Sequence, residues 1–273
     1  MYNLLKGKKG IIFGALDEKS IAWKTAQRCV AEGAEIVLTN APIALRMGEI
    51  NKLAEECNAP VIPADVTSMD DLNNLFSKTK EHFGGGVDFI LHSIGMSINM
   101  RKGIHYTESN YEFMHKTLDI SAMSLHRVLQ VAMKQDAINE WGSVVALSYI
   151  AAQRVFPDYN DMADAKSMLE SIARNFGYQY ALKKNVRINT ISQSPTRTTA
   201  GSGVKGFDGF ITFAEKMSPL GNASADQCAD YTVTLFSDLT KMVTMQNLFH
   251  DGGFSATGVS HAVIDQMEIN SEK

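Results

Sequence analysis

The sequence predicts an α/β protein built on a doubly wound parallel sheet of about seven strands, with helices on both faces. Three observations predict it. Short apolar runs alternate with longer amphipathic stretches along the chain. No Pro/Gly/Ser linker, charge block or internal repeat divides the 273 residues, so a single domain over 1–273 is expected. A glycine directly follows the first apolar run, just ahead of a helical pattern, as at a nucleotide-binding turn.

Taken in order, Gly10–Phe13 reads as the first strand, closed by Gly14. Ser20–Glu32 is helical and opens on Ser20, an N-cap residue type. Glu35–Thr39 is the second strand, ended by Asn40-Ala41-Pro42, and Ile43–Glu56 the next helix. Val61–Ala64 reads as a strand ending in Asp65-Val66, followed by a helix over Ser68–Phe83. The strand Val87–His92 precedes a long helix over Glu108–Asp136. Ser143–Ser148 is a strand that runs into Tyr149, and a loop holding Pro157 leads to a helix over Asp158–Leu182. Val186–Ile191 and Gln246–His250 are the last strands, with a helix over Ser224–Ser237 between them. Thr196–Ser218 breaks the alternation: it sets Gly201, Gly203, Gly206 and Gly209 among apolar residues, the pattern of a substrate lid or a surface excursion.

The chain is 45% hydrophobic and 21% charged, with a net charge of -4 free of long runs. That excludes a nucleic-acid surface and a polybasic membrane patch. No apolar run of about 18 residues and no leader pattern is present, so a cytoplasmic protein is expected. Cys29, Cys57 and Cys228 are scattered, which argues against a disulfide framework. The seven histidines lack ligand spacing, so no metal is expected.

Ligands on open parallel sheets bind beyond the carboxyl ends of the strands. Gly14–Ala22, Asn40–Arg46, Asp65-Val66, Ser93–Ser97 and Ser192–Thr198 all fall there, and so does Tyr149. Gly14 before a helix N-terminus brings backbone N–H groups near a pyrophosphate, and Ser20 serves equally as an N-cap. No acidic residue follows the second strand to meet an adenosine ribose, and Arg46 reads as a solvated helix residue or a 2′-phosphate partner. With no basic pair at that strand end, NADH is favoured and NADPH stays open. Asp65 either accepts from an adenine amine or caps a turn. Tyr159 and Lys166 stand seven positions apart, about 20° short of two full helical turns, so one helix face can carry both. A tyrosine beside an ammonium is a proton donor made more acidic by that charge.

Gly14-x5-Ser20-Ile21-Ala22, His92-Ser93-Ile94-Gly95, Tyr159-x6-Lys166 and Asp251-Gly252-Gly253-Phe254-Ser255 occur in this order. Together they resemble the bacterial enoyl-acyl-carrier-protein reductases, a divergent branch of the short-chain dehydrogenase/reductase superfamily. The match runs from about Lys6 to Ser255. The superfamily's ordinary members carry Tyr-x3-Lys, and the x6 interval marks the enoyl branch. The resemblance implies a Rossmann-type fold, a homotetramer, and reduction of the trans-2 double bond of an acyl thioester held on acyl carrier protein. It implies that Tyr159 bonds the thioester carbonyl, that Lys166 holds the nicotinamide ribose, and that Tyr149 lines the substrate pocket. It places Gly14, Ala15, Ser20 and Ile21 at the pyrophosphate, with Asn40 at the same cofactor end. Asp65 and Val66 would meet adenine, Ser93, Ile94 and Gly95 the ribose and nicotinamide, and Ile191, Ser192, Pro195 and Thr196 the nicotinamide amide and phosphates. Met96, Met162 and Phe207 join Tyr149 and Tyr159 at the substrate. Phe207, Phe210, Ile211, Phe213 and Met217 of the lid supply apolar surface for an acyl chain, or pack as an ordinary amphipathic helix.

Three positions depart from the family pattern. Gln193-Ser194 replaces Ala-Gly before Pro195, bringing a Cβ near the nicotinamide. Leu118 stands where His is expected, and Phe13 replaces Thr before Gly14. Two other readings compete: a β-ketoacyl thioester reductase of the same superfamily, disfavoured by the x6 interval, and a non-catalytic NAD-sensing regulator, disfavoured by the intact Tyr159 and Lys166.

Overall fold

The computed structural model describes residues 2–199 and 207–271, the side chains of Met47, Phe207, Asn270 and Ser271 excepted. Six strands form one sheet: β1 (Lys9–Phe13), β2 (Glu35–Thr39), β3 (Val87–His92), β4 (Ile138–Ser148), β5 (Arg187–Gln193) and β6 (Asn247–His250). They lie in the order β2-β1-β3-β4-β5-β6, and every neighbouring pair is parallel. The chain reverses direction across the sheet between β1 and β3, which opens a crevice at their carboxyl ends.

The helices are α1 (Ile21–Ala31), α2 (Pro42–Met47), α3 (Ile50–Cys57), α4 (Met69–Phe83), α5 (Ile98–Arg101), α6 (Tyr111–Leu118), α7 (Ser124–Lys134), α8 (Asp161–Lys184), α9 (Phe207–Met217), α10 (Ala225–Phe236) and α11 (His261–Ser271). Alternate strand residues feed two cores. Ile11, Val37, Ile90, Val144 and Ile188 pack against α4, α7 and α8 on one face. Ile12, Leu38, Leu91, Val145 and Ile191 pack against α1, α3 and α10 on the other. This two-sided burial explains why the strands read as apolar runs rather than alternating ones.

Four expectations are corrected. Val61–Ala64 is no strand: Val61 alone bridges Leu38. The segment keeps to the edge of β2, with Ile62 N–H donating to Leu38 O and Ala64 N–H to Asn40 O. Pro60 and Pro63 lack the N–H groups a regular ladder requires. The helix expected over Ile43–Glu56 is split into α2 and α3. A Cβ on Gly48 would come 2.7 Å from the Leu16 carbonyl oxygen, so the chain leaves the helical path there in an extended conformation. The helix over Glu108–Asp136 begins at Tyr111 and widens into a π-helical turn at Asp119–Met123. The helix expected from Asp158 starts at Asp161, with Asn160 as its N-cap. Tyr159 therefore precedes the helix that carries Lys166, and the two do not share a helix face.

Candidate active site

A cavity of about 610 Å³ opens at the carboxyl ends of the strands. Gly14, Ser20, Ile21 and Asn40 line one end, Ser93, Ile94, Gly95, Pro195 and Thr196 the middle, and Met96, Tyr149, Tyr159, Met162 and Lys166 the other. Fourteen of the positions singled out from the sequence thus meet in one place. Ala15, Val66 and Ile191 are instead buried in the core. Asp65 lies off the cavity wall, where its Oδ1 accepts from Thr67 N–H at 2.8 Å and from Thr67 Oγ1 at 2.7 Å, a turn-forming role. Ser192, next to last in β5, has a buried hydroxyl that lacks a hydrogen-bond partner among the described residues. The side chain of Phe207 lies outside the described residues.

Local chemistry explains the cofactor end. Ser20 Oγ accepts from Trp23 N–H at 3.2 Å and caps α1, which leaves the first-turn amides facing the crevice. Gly14 has φ 93°, and a Cβ there would lie 2.0 Å from the Ser93 carbonyl oxygen. Only glycine lets the ends of β1 and β3 approach so closely. Asn40 Nδ2 donates to Ala15 O at 2.9 Å and Asn40 Oδ1 accepts from Ala41 N–H at 2.9 Å, so this side chain fixes both loops. Arg46 is exposed and does not line the cavity.

At the other end, the Tyr149 and Tyr159 rings lie 5.0 Å apart at 50°. Tyr149 is 8% exposed, yet its hydroxyl has no hydrogen-bond partner among the described residues. Burial pushes both hydroxyls above the ordinary tyrosine range, and for Tyr149 the neighbouring Tyr159 and Asp251 add to the effect. The expected acidification of Tyr159 by Lys166 is therefore outweighed: desolvation favours the neutral hydroxyl. Lys166 Nζ donates instead to the Leu147 carbonyl oxygen at 2.7 Å. Burial lowers its pKa to about 8, partly offset by Glu170 one turn along α8. A Cβ built on Gly95 would lie 3.9 Å from Lys166 Nζ, an ordinary contact, so Gly95 and the ammonium are close neighbours on the cavity wall. His92 is not part of the wall. It is buried with Nε2 2.8 Å from Ser124 Oγ, and burial and the Lys166 charge push it down to about 3, leaving it neutral.

Sequence reading missed several lining residues: Leu16, Asp17, Met100, Arg101, Phe156 and Thr199 among them. Phe156 stood beside Pro157 in the loop already singled out, and Leu16 and Asp17 lay within the Gly14–Ala22 segment; Met100, Arg101 and Thr199 carry no motif. Of the apolar lid residues whose side chains are described, Phe210 reaches the cavity, while Ile211 and Met217 are buried and Phe213 is 45% exposed. The departures at β5 are absorbed by the fold. Gln193 Oε1 meets His250 Nδ1 at 2.7 Å, and Ser194 Oγ accepts from Ala223 N–H at 3.0 Å. Both side chains are buried away from the cavity, so the added Cβ atoms do not crowd it.

The family model described as Enoyl-(Acyl carrier protein) reductase matches residues 14–255. The chain belongs to this family. It is 32% identical over 262 residues to the NADH-type enoyl-acyl-carrier-protein reductase 2 of Rhizobium meliloti (strain 1021), covering 95% of this chain and 96% of that one. The NADH-type reductase FabI of Rickettsia bellii (strain RML369-C) is 34% identical over 263 residues, covering 95% and 98%. The crystal structure of the FabI–NADH complex from Alistipes finegoldii superposes with a TM-score of 0.95 at 67% identity, over 96% of this chain and 92% of that one. The shared fold agrees with the doubly wound, Rossmann-type sheet expected from the sequence, with six strands in place of seven.

Proposed function

We propose that the chain reduces the trans-2 double bond of enoyl thioesters carried on acyl carrier protein, with NADH as hydride donor, in the final step of each fatty-acid elongation cycle. One observation carries the reading. Tyr149 and Tyr159, whose hydroxyls keep their protons, line one cavity with Lys166, and the buried Tyr149 hydroxyl has no hydrogen-bond partner among the described residues. The relatives that share the fold are enoyl reductases named for NADH.

The residues present fit a dinucleotide. The Gly14 approach to Ser93 and the capped N-terminus of α1 form an anion cradle. Gly14, Ser20 and Ile21 would hold the pyrophosphate, and Ser93 to Gly95 with Pro195 and Thr196 the nicotinamide side. Lys166 would hold the nicotinamide ribose. NADH, when bound, supplies the hydride. Reduction at the β-carbon drives electrons onto the thioester oxygen as an enolate. Tyr159 Oη donates to that oxygen and stabilises charge that appears only in the transition state. Its raised pKa keeps the proton on the hydroxyl at neutral pH. Tyr149, Phe156, Met162 and Phe210 exclude water around the acyl chain.

No basic group from the end of β2 faces the cavity, which favours NADH over NADPH. The reading takes the whole chain as one cytoplasmic dinucleotide-binding unit that works as a homotetramer. Among the described residues no helix is long and apolar enough to cross a membrane. The test is turnover: NADH absorbance falls when a crotonyl thioester is added, and NADPH works less well. Turnover of a β-ketoacyl thioester instead, or NADH binding with no turnover of either, overturns the reading.

A further inference from the structure

Tyr159 sits between two non-glycine residues with positive φ: Asp158 at 66° and Asn160 at 47°. Aspartate tolerates the left-handed region, so Asp158 is mild. Asn160 goes further, because its ψ is −141°. That combination leaves the left-handed helical well and approaches the first central position of a type II′ turn, where glycine is the usual occupant. A side-chain-bearing residue stays in such a conformation only when its surroundings over-determine it.

They do so here. Asn160 is buried and both ends of its amide are engaged. Nδ2 donates to Ile104 O at 2.6 Å. Oδ1 accepts from Ser109 Oγ at 2.8 Å and from Asp161 N–H at 2.5 Å. Asp161, also buried, accepts from Ser97 Oγ at 2.5 Å and Asn99 Nδ2 at 2.8 Å. The turn before α8 is thereby tied to the segment 97–109, which continues directly from the Ser93–Gly95 wall of the cavity. Asn160 itself does not line the cavity. Its sharp turn takes Tyr159 off the path of α8 and sets its ring against Tyr149 at 5.0 Å.

We propose that Asn160 is a positioning residue for Tyr159: its strained, side-chain-locked turn fixes the tyrosine hydroxyl relative to both Lys166 and the cofactor wall. This rests on the reading of Tyr159 as the donor to the thioester oxygen. Asn160→Gly isolates the effect, since glycine adopts the same backbone freely and removes only the ties. Asn160→Asp keeps the acceptor for Ser109 and Asp161 but loses the donor to Ile104.

The experiment uses the full chain and compares both variants with Tyr159→Phe. It measures kcat and KM with a crotonyl thioester, NADH affinity by fluorescence titration without substrate, and thermal melting. A misplaced catalytic group costs rate rather than cofactor binding, so Asn160→Gly is expected to lose about 10- to 100-fold in kcat with NADH affinity within about twofold, and Asn160→Asp to fall between it and wild type. Wild-type kcat in Asn160→Gly overturns the proposal. So does a parallel loss of kcat, NADH affinity and melting temperature, which marks general unfolding. If Asn160→Gly does not fold, Asn160→Asp decides by the same split. If Tyr159→Phe turns over like wild type, the reading of Tyr159 itself fails and the proposal falls with it; a slow Tyr159→Phe beside an unaffected Asn160→Gly sinks the proposal alone.

Discussion

Tyr149 and Lys166 are buried and Tyr159 is partly so, and this desolvation sets what each can do. A tyrosine that keeps its proton is a donor, and removing a donor aimed at developing charge costs about 10²–10³ in rate. Tyr159→Phe is therefore expected to lower kcat by more than about tenfold, read in the NADH absorbance assay. Tyr149 differs because its hydroxyl is already buried and unpartnered, a cost the folded chain bears. Tyr149→Phe removes that cost. Its melting temperature should equal or exceed wild type, and its rate should fall less than that of Tyr159→Phe. Lys166 adds a pH signature. Its folded pKa of about 8 lies below the ordinary lysine value, so the ammonium that would hold the ribose is lost as pH rises through about 8. The kcat/KM for NADH should decline above that pH, and a profile flat to pH 10 contradicts the assignment. The folded state disfavours the charged form, so the stability penalty is complete below about pH 8 and is relieved as pH rises towards the unfolded value. Lys166→Met should accordingly melt higher than wild type at pH 7, with the advantage shrinking by pH 10.

Elements decide where these residues stand. The order β2-β1-β3 creates the crevice, and Gly14 is the joint that lets β1 and β3 close on it. Gly14→Ala places a methyl group into the Ser93 carbonyl at a φ that disfavours any side chain. A loss of about 1–3 kcal/mol in chemical denaturation is expected, with weaker NADH binding by titration; unchanged stability and affinity together would refute the joint. Such glycines were legible in the sequence because a strand end followed by glycine and a capped helix has one common use. The helix ends were less legible. Gly48 splits α2 from α3 through contact with Leu16, a residue far off in sequence. Asn160 moves the start of α8 past Tyr159 through contacts with Ile104 and Ser109. Periodicity reads local propensity, and these breaks come from tertiary contacts that propensity does not contain. The cavity lining was more legible: Gly14, Ser93 and Gly95 lie just beyond strand ends, and Tyr159 and Lys166 follow in the family's fixed order, so the pattern brings all five to one cavity. Met100, Arg101 and Thr199 line the cavity by folding back onto it, and no spacing announces that.

At the scale of the whole molecule the sheet is unevenly finished. The β2 edge is flanked by Val61 and Ile62. The β6 edge has no strand beyond it among the described residues, and an open edge invites pairing or cover. Phe249 on β6 is 41% exposed. Val259, Met267 and Ile269 of the following segment and α11 are also exposed, and Leu220 lies bare nearby in sequence to the Gly221–Gly252 contact. Exposed apolar groups of this kind, adjoining an unfinished sheet, are the surface that the proposed homotetramer would cover. The homotetramer implied by the family resemblance would give them a partner of matching chemistry, a second copy of the same edge, in the self-complementary arrangement that two-fold symmetry imposes. A charge at the middle of such a contact would be buried twice, once from each copy. Phe249→Glu should therefore sediment as a smaller species than wild type in analytical ultracentrifugation, while its circular dichroism stays that of a folded chain. A wild-type species that is already monomeric, or a Phe249→Glu variant that keeps the wild-type mass, removes β6 from the assembly.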